Sequence, residues 1–117
     1  MKSLIIINDP PYGTERCYNG LRLAHALLKN DAQAAVTVFL MADAVLAAKA
    51  GQKTPDGFYN VERMIKRVTA GSGHVLLCGT CMDARGLTEA ELTAGARRST
   101  MDELAAATLA ADKVMVF

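Results

Sequence analysis

The sequence predicts an α/β fold: a three-layer sandwich in which a mostly parallel five-stranded sheet carries helices on both faces. Three observations lead there. Short β-branched or apolar runs alternate with segments of helical periodicity. Those runs are continuously apolar rather than alternating, as strands covered on both faces must be. The chain has 117 residues, which fits one domain, 1–117, with one core.

Leu4–Ile7 is the first expected strand, closed by Asn8-Asp9-Pro10-Pro11. Thr14–Asn30 follows as a helix, with Leu21, Ala24, Leu27 and Leu28 at helical spacing. Val36–Met41 is a second buried strand. Asp43–Ala50 is a short alanine-rich helix stopped by Gly51. Gly51–Gly57 is polar and broken by Gly and Pro, so it reads as a loop. Asn60 is placed to cap a third helix, in which Val61, Met64, Ile65 and Val68 form an apolar stripe. Gly71 and Gly73 end that helix. Val75–Cys78 is the third strand. Thr88 with Glu91, and Thr100 with Glu103, have capping-box spacing. Ala96–Arg98 is a brief strand between them. A helix runs to about Ala110, and Val114–Phe117 is the last strand.

Composition narrows the function. The net charge is +1, so no global field draws in nucleic acid or an anionic membrane. No apolar run approaches the ~20 residues that span a bilayer. The apolar start at Leu4–Ile7 is too short for a signal peptide and runs into Asn-Asp-Pro-Pro, so a cytoplasmic location is expected. Three cysteines, an odd number, do not make a disulfide framework. Nucleotide binding has no support, because neither G-x-G-x-x-G nor a P-loop is present. No cofactor is expected.

In parallel α/β sheets, ligands bind beyond the carboxyl ends of the strands. That rule gathers Asn8–Gly13, Met41–Asp43 and the turn Cys78-Gly79-Thr80-Cys81 at one edge, with Cys17 close by and the loop after Gly51 able to fold over them. The Cys-x-x-Cys pair is the sharpest signal. Its spacing lets both sulfurs approach, and Arg85 is placed to favour a thiolate, the form that does sulfur chemistry. Three readings of the pair stand side by side: core packing, sulfur or redox chemistry, and metal binding. Zinc wants four ligands. His74 lies about 13 Å from Cys78 along a strand, so a shared metal would need two subunits. Pro11-Tyr12-Gly13 reads as a turn or, with backbone N–H groups at the first helix, an anion site; Tyr12, Gly13 and Asp43 are the candidate substrate-binding residues. Arg97-Arg98 reads as a solvated pair.

Together these residues resemble the DsrE/DsrF-like family of sulfur-handling proteins, and most closely its YchN-like branch. The matching stretches are Asn8–Gly13, Leu21–Ala24, Phe39–Val45, Gly51–Lys53, Leu77–Cys81 with Arg85-Gly86, and Ala111–Val114. The resemblance implies a flavodoxin-like sandwich assembled as a homohexamer. It implies that Cys78, eight residues before Gly86, carries sulfane sulfur as a persulfide, as the matching cysteine does in sulfur-relay members. A sulfur donor or acceptor protein is then the expected partner. Cys81 departs from the sulfur-relay pattern; a second thiol there would resolve or regulate the persulfide. The alternatives are a dithiol/disulfide switch on Cys78 and Cys81, and a non-catalytic oligomeric binding protein.

Overall fold

Four consecutive apolar residues, Leu4–Ile7, following Lys2 and Ser3, make β1, Lys2–Ile7, the centre of the sheet. It pairs in parallel with β2, Ala35–Leu40, on one side and with β5, Lys113–Val116, on the other. Beyond β2 lie β3, His74–Cys78, and the edge strand β4, Ala96–Ser99, both parallel. The order is therefore β4-β3-β2-β1-β5, five parallel strands. This computed structural model describes residues 1–55 and 59–117. The far end of the loop expected at Gly51–Gly57 lies outside the described residues.

Helices α1, Arg16–Asn30, and α2, Val61–Ala70, pack side by side on one face. The fit of α1 is close: a Cβ on Gly20 would stand 2.9 Å from Ile7 Cδ1. Asn60 caps α2 as expected, its side chain accepting the Arg63 N–H at 3.0 Å. The opposite face carries α4, Met101–Ala110, which buries only Leu104. The sheet thus lies between two helical layers, as the sequence predicts, but the second layer is thin. Strand alternation places Val114 and Val116 on the α4 face, and both are exposed. Leu109 on α4 is 89% exposed.

The chain departs from the sequence-based expectations at three places. The alanine-rich segment is a 3₁₀ helix over Ala42–Ala48 rather than an α-helix. Residues Cys78–Cys81 are not a turn: Gly79–Ala84 forms α3, with Cys78 as its N-cap. The Thr100/Glu103 box is half made. Thr100 accepts the Glu103 N–H at 3.1 Å, but the Glu103 carboxylate turns away to Arg97 and Ser99. Among the described residues no helix is long and apolar enough to cross a membrane.

Candidate functional site

Strand β3 is buried from Val75 to Cys78, and the chain enters α3 with no intervening loop. The consequence for Cys78 is specific. Its Sγ occupies the N-cap position and accepts the Cys81 backbone N–H at 3.3 Å. The Thr80 hydroxyl lies 3.3 Å from the same sulfur. Only 6% of Cys78 is exposed. Burial pushes its thiol up, but the Cys81 side chain, the Thr80 hydroxyl and the N–H groups of Cys81 and Thr80 pull it down. The balance lies below an ordinary thiol, the direction that favours thiolate.

Cys81 goes the other way. Burial and the neighbouring Cys78 push its thiol up, against the Ala42 N–H and the Arg85 charge. The Ala42 N–H reaches Cys81 Sγ at 3.2 Å. Ala42 makes that contact from a left-handed backbone, φ 51°, in the turn that leaves β2. The pair is therefore asymmetric: charge is favoured on Cys78 and the proton on Cys81.

Arg85 fastens this arrangement from outside. Its Nε donates to Asp43 Oδ1 at 2.9 Å and its Nη1 to the Cys81 carbonyl at 3.0 Å. Asp43 and Arg85 thus tie the 3₁₀ helix to α3, and the Arg85 charge bears on Cys81. Cys17 is fully buried in the first turn of α1. Desolvation, helped by Asp9, pushes its thiol up to about 12, which makes it a packing residue at neutral pH.

Tyr12 stands elsewhere along the edge. Its hydroxyl donates to Gln52 Oε1 and accepts the Val61 N–H at 3.3 Å, so it braces the start of α2. Gly13, at φ 100°, turns the chain toward α1. The structure brings Cys78, Cys81, Arg85 and Asp43 together and leaves Tyr12 and Gly13 with a separate cleft. Among the described residues no three His, Cys, Asp or Glu side chains converge as metal ligands.

One neighbour of Cys78 escaped the sequence reading. Arg98, expected as half of a solvated pair, lies over Gly79. A Cβ there would stand 2.8 to 2.9 Å from its Nε, Cζ and Nη2, so the guanidinium plane lies flat on the Gly79 Cα. Asp83 holds it with two bonds of 2.7 and 2.9 Å. Arg97, its partner in sequence, pairs with Glu103 on α4. The signal for this split was strand alternation in a four-residue segment, too short to read.

Comparison with known proteins follows the same lines. The DsrE/DsrF-like family model matches residues 1–117. Protein YchN of Escherichia coli is 44% identical over 116 residues, covering 99% of this chain and 98% of its own. The crystal structure of the E. coli ychN protein superposes with a TM-score of 0.92, at 42% identity and full coverage of both chains. Sulfurtransferase TusD of Salmonella arizonae is a more distant relative, 28% identical with both chains fully covered.

Proposed function

The chain belongs to the DsrE/DsrF-like family, and from that premise we propose that it is a sulfur-handling protein that accepts sulfane sulfur as a persulfide on Cys78 and relays it. The observation that carries this reading is the Cys78 sulfur at the N-cap of α3, met by the Cys81 N–H and the Thr80 hydroxyl. The relationship to a protein named as a sulfurtransferase supports it.

The chemistry balances without a cofactor. The Cys78 thiolate attacks the outer sulfur of a donor persulfide, R–S–SH. The S–S bond of the donor breaks, Cys78–S–SH forms, and R–S⁻ leaves. The reverse attack by an acceptor thiolate passes the sulfur on. The N–H and hydroxyl donors that steady the Cys78 thiolate serve the same sulfur when it is a leaving group. Asp43 and Arg85 act by holding Cys81 and the Ala42 turn in place. A cytoplasmic location and a donor or acceptor protein belong to the same proposal.

A second reading has its own observation. Cys81 lies one helical turn from Cys78 with its thiol pushed up, a protonated partner beside a thiolate. Attack of Cys81 on the inner sulfur of the Cys78 persulfide would give a Cys78–Cys81 disulfide and release hydrogen sulfide. Intact-mass measurement after treatment with an alkyl persulfide separates the readings. A one-sulfur gain that Cys78→Ser abolishes and Cys81→Ser retains supports relay. Loss of two hydrogens, abolished by either substitution, supports the dithiol switch. An unchanged mass in the wild type contradicts both and leaves a non-catalytic binding protein.

Assembly as a homo-oligomer is part of the proposal. The exposed Leu109, Val114 and Val116 on the thinly covered face support it, because single domains seldom leave neighbouring large apolar side chains in water.

A further inference from the structure

Every tyrosine of the chain converges on one cleft, and the chain has no tryptophan. Tyr12, Tyr18 and Tyr59 line a recess of about 250 Å³ together with Gly13 and Glu15. Core packing does not explain the gathering: Tyr18 is half-buried against the core, but Tyr12 and Tyr59 are exposed. Tyr18 and Tyr59 lie 4.8 Å apart between ring centroids, tilted by 55°. Tyr59 takes a left-handed backbone, φ 52°. A bulky residue holds that conformation only where its surroundings impose it, and such strain gathers at ligand sites. Tyr12 is fixed from the far side by Gln52 and the Val61 N–H.

The charges of the cleft have one sign of preference. Tyrosine ring faces are electron-rich, and the Glu15 carboxylate adds a full negative charge. Glu15 lies close enough to the Tyr59 hydroxyl to push that phenol up. One ring already faces a cation: the Arg22 guanidinium stands 5.9 Å from the Tyr18 ring centre. Arg16 is turned toward Asp9, at 3.9 Å. An anion, the ligand suggested by the turn at Tyr12-Gly13, would meet Glu15 here.

We propose that this cleft binds a compact organic cation, an alkylammonium or guanidinium head group, between Tyr12, Tyr18 and Tyr59 with Glu15 as its counter-charge. The volume suits a head group rather than a drug-sized molecule, which needs at least about 300 Å³. The site uses neither thiol and stands independently of the sulfur reading. Two sources present this chemistry: a free ammonium compound, or a lysine or arginine side chain on a partner protein.

With no tryptophan, tyrosine fluorescence reports on this cleft directly. The intact protein is titrated with choline and with N-acetylarginine amide. The neutral isosteres 3,3-dimethylbutan-1-ol and N-acetylcitrulline amide serve as controls at constant ionic strength. The proposal expects saturable quenching or enhancement by at least one cation, weaker by about fivefold or more for its isostere. Glu15→Gln weakens binding by a similar factor, and Tyr59→Leu removes it, with circular dichroism unchanged. Tighter binding of choline identifies a free ammonium ligand; tighter binding of the arginine amide identifies a protein side chain. No saturable response to either cation overturns the proposal. So does equal binding of cation and isostere, or a Glu15→Gln variant that binds as the wild type does.

Discussion

At the scale of single residues, the thiol pair differs from its sequence motif in one respect that matters. Spacing alone treats Cys78 and Cys81 as equivalent. The fold makes them unequal, by giving Cys78 the N-cap position and Cys81 the inside of the first helical turn. Thr80 is the residue that turns this into a prediction. Its hydroxyl is one of the groups holding the Cys78 thiol below its ordinary value. A lowered value keeps thiolate populated as pH falls, until pH passes the folded-state value. Thr80→Val removes one donor, raises the midpoint and slows alkylation of Cys78 at neutral pH, roughly fivefold for the loss of one hydrogen bond. Iodoacetamide rates against pH, resolved by peptide, check this; unchanged rates would show that Thr80 contributes nothing. The Cys78 position was legible in the sequence as the end of an apolar run. Its partners were not. The Ala42 N–H reaches Cys81 from 39 residues before it, and Arg98 arrives over Gly79 from 19 residues after it, through pairings of β2 and β4 that local pattern does not encode.

At the scale of elements, α4 offers the clearest tests, because little else holds it. Leu104 is its one buried residue, so its capping interactions weigh more than they would on α1. Thr100→Ala leaves the Glu103 N–H without its acceptor and costs about 1 kcal/mol, read by denaturant unfolding. Glu103 adds a pH signature. Arg97 first, then Ser99, hold its carboxyl down to about 2, below the ~4.3 of an unfolded chain. The stabilisation is therefore present above about pH 4.3 and is lost as pH falls through about 2. The stability gap between wild type and Glu103→Gln narrows across that window; a gap independent of pH would contradict the assignment. Periodicity found α1 and α2, capping-box spacing found α4, and continuous apolarity found β1, β2 and β3. The failures have physical reasons. Gly79–Ala84 is six residues with a glycine first, so its helical character comes from the Cys78 cap and the buried Met82 rather than from propensity. Ala42–Ala48 carries helix-forming alanines but starts from a left-handed residue tied to Cys81, and stays 3₁₀.

At the scale of the whole molecule, the two faces of the sheet are unlike. Helices α1 and α2 seal one; α4 leaves Leu109, Val114 and Val116 in water on the other. We propose that a second copy of the chain covers this face, within the hexamer that the family resemblance implies. Multi-angle light scattering of the intact protein should return a mass near six chains, and a mass of one chain would contradict it. The sequence made the sheet and its layers readable, because buried parallel strands have a signature of their own. It did not show the imbalance between layers, which depends on how few of the α4 side chains reach the sheet. Nor did it show the tyrosine cleft, whose three rings come from the turn after β1, from α1 and from the approach to α2.

The proposed function rests on Cys78 as the sulfur acceptor. Peptide-resolved mass spectrometry of the wild type after an alkyl persulfide tests it most directly, since fragment ions separate Cys78 from Cys81 and Cys17. The expected result is one added sulfur on Cys78, with Cys81 and Cys17 unmodified. Added sulfur on Cys81 while Cys78 stays a free thiol would contradict it.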